Sequence, residues 1–302
     1  MYDNDSKGFS YTGGFFMLIA FAVAGLIFAG LLSVPIWEHF TGRKFAEMQD
    51  GMLDPAYSNI MKLIQATTAI VGFLLPTIVT AALIHKKPFA LLGFNGGINC
   101  QQVALTVLII VAALFIASSL SQITHMIPLP ADLQLRFEKL EAEYSRQVSA
   151  IVGLRSFSDY LLALVIMAFV PAVCEEALFR GGLQNFLTRG TGNPWLSIIL
   201  VSVLFSLAHV SYYGFLSRFL LGVVLGMLYH YSGRLWISII AHFVNNAIAL
   251  TALYIYTKQG KPLNEAMAEG PESLWGLLAV PVLIFLLMRY RKASQKGLLR
   301  PY

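Results

Sequence analysis

The chain has 302 residues, of which 57% are hydrophobic and only 12% are charged, whereas ordinary soluble domains carry about 25% charged residues. So few charges cannot cover that much apolar surface in water, which excludes a soluble enzyme, a disordered chain and a disulfide scaffold. The apolar residues occur in long runs and not in alternation, which excludes a membrane β-barrel and predicts an all-α, polytopic membrane helix bundle.

The formal net charge of +5 would suggest nucleic-acid binding in a soluble protein, but here it has another explanation. The basic residues flank the apolar segments, where the topology of a membrane protein places them. We therefore expect membrane lipid as a partner and no nucleic acid. Of the two cysteines, Cys174 lies inside an apolar stretch, so neither a structural disulfide with Cys100 nor a cysteine metal site is expected.

Eight apolar segments predict eight transmembrane helices, because lipid leaves the backbone no hydrogen-bond partner outside a helix. They cover residues 15–37, 63–84 (with a kink at Pro76), 103–120, 160–176, 194–209, 215–231, 235–256 and 274–288. Eight spans place both termini on one side of the membrane. The predicted organisation is a region of N-terminal helices with a connector (1–157), a central helix core (158–257) and a last helix with a basic tail (258–302).

The basic tail determines the predicted orientation. Arg289, Arg291, Lys292, Lys296 and Arg300 lie together with no acidic residue among them, and basic residues accumulate on the cytoplasmic side of membrane proteins. We therefore expect an integral protein of the plasma membrane with both termini in the cytoplasm.

The segment 132–148 differs from the apolar segments, because it is polar overall and carries a regular apolar pattern. Leu133, Phe137, Leu140, Tyr144 and Val148 recur at steps of three and four residues. This pattern predicts an amphipathic helix at the membrane interface or packed over the bundle. Such a helix either shapes substrate access or simply connects two spans.

Ionisable side chains inside apolar segments cost about 2.5 to 3.5 kcal/mol each at the centre of a bilayer, and one group of them ends segment 160–176. Adjacent Glu175 and Glu176 point about 100° apart on a helix. Glu176 precedes Arg180 by four residues, the spacing of an intrahelical ion pair. This leaves Glu175 to face the bundle, on a helix loosened by Pro171. The alternative is a helix end at the interface with solvated charges.

Two further polar groups lie in later apolar segments. Phe205 and His209 end one segment, and His242 and Asn246 lie in another. His242 and Asn246 are four residues apart, so their side chains share one helix face, from which Asn245 points away. Taken separately, each group also has a structural interpretation, as a packing histidine or as a polar pair that joins two helices.

Helix geometry places two of these groups at the same depth. If the helix with Glu175 ends near Thr188 and the next one returns from Pro194, Glu175 and His209 both lie about 20 Å from the connecting turn. His242 is only about 10 Å from the start of its own segment. It therefore matches that depth only if the helix ends are staggered or the helices are tilted.

The polar groups together have the composition of a hydrolytic site. A carboxylate beside an imidazole can hold a water molecule and take its proton. A second imidazole and a side-chain amide can donate hydrogen bonds to an oxyanion, and each preorganised donor is worth about 2.7 to 4 kcal/mol. Glu175, His209, His242 and Asn246 could thus hydrolyse an amide by direct attack of water. Glu175, His209 and His242 also suit a divalent metal such as zinc, although the sequence lacks the H-E-x-x-H pattern.

These groups resemble the motifs of a known family. The resemblance rests on three patterns in chain order: Glu175-Glu176-x-x-x-Arg180, Phe205-x-x-x-His209 and His242-x-x-x-Asn246. They are similar to the three motifs of the CPBP (Abi) family of intramembrane proteases, which includes the type II CAAX prenyl endopeptidases and bacteriocin-immunity homologues. The similarity covers roughly residues 160–256 and includes Gly181 and the pair Gly222 and Gly226.

The resemblance implies an intramembrane endopeptidase that hydrolyses a peptide bond in a membrane-associated or lipidated peptide. It implies that Glu175 activates the water with help from His209, and that His242 and Asn246 stabilise the oxyanion. The residues with a supporting role would be Glu176, Arg180 and Phe205. Family members are commonly labelled metalloproteases, and a metal-free, glutamate-dependent mechanism is also argued for them. Two other functions stay open: a non-catalytic immunity or binding protein on the same scaffold, and a proton-coupled transporter.

Overall fold

The structure, a computed structural model, describes residues 5–261 and 274–298. Within these two ranges the chain forms helices and no β-strand, which confirms the predicted all-α bundle. Six of the described helices are long and apolar enough to cross a membrane. Because a helix satisfies its own backbone hydrogen bonds, it is the form that such segments take in lipid. The chain is therefore an integral membrane protein.

The main helices follow one another with short connections. In chain order they are α1 (Tyr11–Thr41), α2 (Pro55–Ile84), α3 (Cys100–Met126), α4 (Ala131–Val152), α5 (Phe157–Thr191), α6 (Pro194–Leu207), α7 (Phe215–Ser232), α8 (Leu235–Lys258) and α9 (Val280–Leu298). Shorter helical turns cover Phe45–Glu47, Met48–Gly51, Pro88–Leu92 and Trp275–Ala279. The six membrane-crossing candidates are α1, α2, α3, α5, α7 and α8.

The predicted number of eight spans is not confirmed. Helix α6 has 14 residues and is about 21 Å long, which is shorter than a hydrocarbon core of about 30 Å. The predicted last span, 274–288, divides into the turn Trp275–Ala279 and the start of α9. Arg300, one of the residues behind the predicted orientation, lies outside the described residues, so the placement of both termini in the cytoplasm stays a prediction.

Two membrane helices widen just before a proline. Helix α2 contains a π-helical turn at Ile70–Leu74, ahead of Pro76, and α5 contains one at Leu164–Phe169, ahead of Pro171. Proline has no N–H and its ring displaces the carbonyl four residues earlier, which lies inside the widened turn in both cases. Both prolines thus loosen their helices, as the sequence predicts.

Helices α5 and α6 form an antiparallel hairpin. Helix α5 ends at Gly192, whose φ of 71° favours glycine, and the Asn193 side chain accepts a hydrogen bond from the N–H of Leu196 at 3.1 Å. Helix α7 then packs closely on α6, where a Cβ on Gly222 would lie 3.0 Å from the Cβ of Ser202. On the other side, α7 shares a core of buried apolar side chains with α3, α8 and α9. The α5–α6 hairpin thus carries two of the three polar groups, and α8 carries the third.

Candidate active site

The first polar group lies where α5 changes its winding. After Glu176 the helix continues as a π-helical segment, Ala177–Gln184, in which every residue is buried. Such segments often occur at functional sites, because they redirect side chains within a helix. Glu176 is fully buried, whereas the side chain of Glu175 keeps 18% of its exposure. The two adjacent carboxylates therefore have different surroundings.

Glu176 is the centre of a buried charge network. Its Oε1 accepts a hydrogen bond from Nδ1 of His242 at 2.8 Å, and its Oε2 lies 3.3 Å from Nε of Arg180. Arg180 also donates through Nη2 to the carbonyl oxygen of Gly222 at 3.1 Å, and its guanidinium lies 4.7 Å from the ring centre of Phe205. Because a buried charge needs a partner, the i, i+4 pair and these contacts stabilise one another.

This network orients His242. With Nδ1 bonded to Glu176, the other ring nitrogen, Nε2, lies 3.9 Å from Oε2 of Glu175. That distance is too long for a direct hydrogen bond. Oε2 of Glu175 is itself buried and has no hydrogen-bond partner among the described residues. Sequence reasoning paired Glu176 with Arg180 alone and missed its contact with His242.

His209 lies in a turn and not on a helix. We predicted a span over 194–209, but α6 ends at Leu207, and the N–H groups of His209 and Val210 bond to carbonyls three residues earlier. The Nδ1 of His209 lies 2.8 Å from the carbonyl oxygen of Phe205. This contact accounts for the Phe205-x-x-x-His209 spacing, because it fixes the ring and leaves Nε2 for other contacts.

Asn246 follows His242 by one turn of α8. Its Oδ1 accepts a hydrogen bond from Nδ2 of Asn245 at 3.1 Å. With its oxygen engaged in this way, the amide of Asn246 has its N–H groups available as donors. Asn245 itself does not line the cavity that Asn246 lines, in agreement with its predicted direction.

All four predicted catalytic residues line one cavity of about 490 Å³. They are Glu175, His209, His242 and Asn246. The remaining wall is partly apolar, with Met167, Leu250 and Leu253. It also includes residues that the sequence did not indicate, namely Gln65 on α2 and Gln147 on α4.

The amphipathic helix α4 forms part of this wall. Tyr144, Val148, Ile151 and Val152 line the cavity together with Gln147. The predicted helix over 132–148 is therefore present and extends to Val152, and two residues of its apolar stripe, Tyr144 and Val148, line the cavity. The apolar pattern in the sequence included Tyr144 and Val148, but it did not indicate Gln147, Ile151 or Val152. Gln65 had no such signal.

The depth of His242 follows from staggered helix ends. A Cβ on Gly181 of α5 would lie 3.4 Å from Cδ2 of Leu235, the first residue of α8. Helix α8 thus begins beside Gly181 and not beside the turn that follows Thr191. Glu175 is six residues from Gly181, and His242 is seven residues from Leu235. The two side chains therefore reach the same level of the bundle.

The side chains do not fit a zinc site. Nowhere in the described ranges do three His, Cys, Asp or Glu side chains gather closely enough to hold a metal ion. Glu175 and His242 face each other, but the third candidate ligand, His209, does not complete a set with them. Neither cysteine belongs to a metal-binding cluster within the described ranges: Cys100 is exposed, and Cys174 is a buried free thiol.

Comparison with known proteins identifies the region that carries the site. Residues 157–248 match the family model described as type II CAAX prenyl endopeptidase Rce1-like. An Escherichia coli protein described as an uncharacterized 24.3 kDa protein is 30% identical over 100 residues, which is 32% of this chain and 46% of that protein. The chain thus spans less than half the length of this curated relative. No solved structure matches the chain.

The match covers all three motifs, from Glu175 to Asn246. The resemblance to the CPBP family is therefore confirmed for the part of the chain that carries the candidate site. Residues 157–248 thus match the Rce1-like family model, within a polytopic helical membrane protein.

Proposed function

We propose that the protein is an intramembrane endopeptidase that hydrolyses a peptide bond with a water molecule activated by Glu175 and His209. The observation that carries this proposal is the shared cavity, into which helices α5 and α8 and one turn bring Glu175, His209, His242 and Asn246. The match to a family of prenyl endopeptidases supports the reaction class.

The first step is the attack of water on the scissile carbonyl. Oε2 of Glu175 is a buried acceptor that the described residues leave without a hydrogen bond, so it can bind the water and take its proton as a general base. Nε2 of His209 holds the same water from the turn, since Nδ1 is engaged with Phe205. The new C–O bond forms as the proton passes to the carboxylate.

The second step is stabilisation of the negative charge on the carbonyl oxygen. The N–H groups of Asn246 donate to this oxyanion, and Nε2 of His242 donates to it in the doubly protonated ring. Glu176 holds that ring through Nδ1, and Arg180 keeps Glu176 charged and in place. Donors fixed in this way before the reaction lower its barrier, because they need not reorganise as charge develops.

The last step breaks the C–N bond. The proton held by Glu175 passes to the leaving amine, which departs as a neutral group while the carbonyl carbon becomes a carboxylic acid. Glu175 thereby returns to its starting carboxylate. No serine or cysteine nucleophile takes part, since the buried Cys174 is not among the residues that line the cavity.

The substrate that we propose is a membrane-associated or lipidated peptide. The cavity lies among apolar helices, and its wall combines apolar side chains such as Met167 and Leu253 with the amides of Gln65 and Gln147. Such a wall suits a peptide backbone with apolar substituents. We place the protein in the plasma membrane with both termini in the cytoplasm.

Cleavage of a defined peptide panel tests this function. The full-length protein in lipid nanodiscs is incubated with quenched fluorescent peptides, each in a farnesylated and an unmodified form. We expect cleavage of at least one lipidated peptide and a loss of about 10³-fold in kcat for Glu175→Gln, which removes the general base. The matched control is Glu143→Gln, because Glu143 is an exposed carboxylate of α4.

Three results would contradict the proposal. One is cleavage by Glu175→Gln at the rate of the unmodified protein. Another is substrate flux in proteoliposomes without cleavage, which would favour a transporter. The third is peptide binding without cleavage that Glu175→Gln leaves unchanged, which would favour a non-catalytic scaffold. Equal elution volume and thermal unfolding of the variants ensure that the comparison concerns folded protein.

A further inference from the structure

The turn that follows His209 has a strained backbone. Val210 has a φ of 49°, the only positive φ at a non-glycine residue in the described part of the chain. A β-branched residue rarely adopts this left-handed conformation, and it persists where the surrounding structure forces it. The side chain of Val210 is 75% exposed, so its own packing does not hold it there. Contacts of the neighbouring residues must therefore hold the backbone of Val210 in this conformation.

Two of these contacts come from α4. Oγ of Ser211 donates to Oε2 of Glu141 at 2.9 Å and accepts from the N–H of Gly214 at 3.1 Å. The ring of Tyr212 stacks on that of Phe137 with a centroid distance of 4.6 Å and an angle of 6°. Glu141 and Phe137 are four residues apart on one face of α4. Helix α4 therefore holds two consecutive residues of the turn.

The next residue of the turn is held by α3. The ring of Tyr213 stacks on His125 with a centroid distance of 3.9 Å and an angle of 1°. The backbone carbonyl of Tyr213 accepts from Oγ of Ser121 at 3.4 Å. Three successive residues behind His209 and Val210 thus contact helices that precede the Rce1-like domain.

Close packing alone does not fix the turn against α4. A pocket of about 290 Å³ lies between them, lined by Phe137, Leu140 and Glu141 on one side and by Val210, Ser211 and Tyr212 on the other. Next to such a space, the hydrogen bond from Ser211 to Glu141 carries more of the restraint than it would in a filled core.

We propose that Glu141 is a positioning residue for His209. It holds Ser211, two residues after the imidazole, and thereby keeps the strained turn and the ring in their reactive placement. Glu141 does not line the cavity with Glu175, so it acts through Ser211 and touches neither water nor substrate. This inference rests on the proposed hydrolysis, and it assigns the amphipathic helix a part in it.

Three variants of α4 test the inference on the peptide that the unmodified protein cleaves in the farnesylated panel. Glu141→Ala removes the acceptor, and we expect kcat to fall about tenfold with KM unchanged, since a displacement of a catalytic group by about 1 Å can cost up to 10²-fold. Glu141→Gln keeps an oxygen that accepts from Ser211 and should restore most of kcat. The matched control Glu143→Ala, on the exposed face, should behave like the unmodified protein.

A change at Val210 separates positioning from general stability. Glycine adopts a positive φ at no steric cost, so the turn depends less on Glu141 when position 210 is glycine. We therefore expect Glu141→Ala to lower kcat by a smaller factor in a Val210→Gly background than in the native background. A merely structural role of Glu141 would give the same factor in both.

Hydrogen exchange of the amides of His209 and Val210 gives a readout without substrate. Glu141→Ala should accelerate their exchange at least severalfold, and Glu141→Gln should not. Unchanged kcat or unchanged amide exchange in Glu141→Ala would overturn the role of Glu141. The proposed hydrolysis would still stand in that case if Glu175→Gln abolishes cleavage. If the panel shows no cleavage at all, the proposed function fails, and the exchange rates still decide whether Glu141 holds the turn.

Discussion

The two histidines of the candidate site are held in opposite ways. His242 lies inside the continuous helix α8, and its ring is fixed by Glu176, a fully buried carboxylate next to Arg180. His209 lies beyond the end of α6, where a backbone carbonyl fixes the ring and side chains of α3 and α4 hold the turn. One histidine depends on buried charge and the other on tertiary contacts with another region.

Stability and activity should therefore be coupled at His242 and separable at His209. A buried ion pair that loses one partner leaves an uncompensated charge, so changes beside His242 should lower both the free energy of unfolding and kcat. A partly exposed turn has little buried surface to lose, so changes beside His209 should lower kcat with little effect on stability.

The largest effect is expected for Arg180→Met. It removes the guanidinium and leaves the Glu176 carboxylate buried, so the free energy of unfolding should fall by about 3 to 5 kcal/mol. The measurement is unfolding of the purified protein in detergent. The free energy of unfolding should fall less in the double variant Glu176→Gln with Arg180→Met, because this variant leaves no buried carboxylate unpaired. Arg136→Ala, on the exposed face of α4, is the control. If Arg180→Met lowers the free energy of unfolding no more than Arg136→Ala does, the role of the buried charge is contradicted.

A smaller energetic effect, confined to the reaction, is expected for Asn246→Ala. Loss of an oxyanion donor should lower kcat by about 10²- to 10³-fold, or about 2.7 to 4 kcal/mol, without a matching loss of stability. Asn245→Ala removes only the hydrogen bond that holds the Asn246 amide. We therefore expect kcat to fall about fivefold in this variant, in line with about 1 kcal/mol for one neutral hydrogen bond. Equal losses in the two variants would argue against Asn246 as the donor.

The smallest effect is expected from metal removal. Because the described residues gather no set of three metal-binding side chains, the two imidazoles should act independently, and treatment with a chelator should change kcat by less than about twofold. Metal analysis of the same samples accompanies the assay. Loss of cleavage that returns on addition of Zn²⁺ would mean that one ion joins both histidines and would remove the contrast between them.

Several features could be predicted because they depend on residues close together in the chain. The bundle of apolar helices follows from the length of the apolar runs, and the contact of Glu176 with Arg180 follows from their spacing of four residues. The end of α5 near Gly192 and the start of α6 at Pro194 follow from local cap residues. The stripe on 132–148 predicted an amphipathic helix.

Other features escaped prediction because they depend on packing. The predicted span over 194–209 was too long, since nothing local distinguishes the last helical residue, Leu207, from the turn with His209. The number of eight spans is not confirmed for a similar reason, because apolar composition alone does not determine helix length. The contact of Glu176 with His242 joins residues 66 positions apart, and no periodic pattern encodes it.

Composition and short spacings thus suffice to predict the class of protein, the kinds of side chain in its interior and the family that its central region resembles. Which atoms meet follows instead from the packing of the helices. Contact of α8 with Gly181 brings His242 level with Glu175, and α4 packs against the turn behind His209. Such contacts depend on how helices are shifted and rotated against one another, and that is set by the packing of the whole bundle.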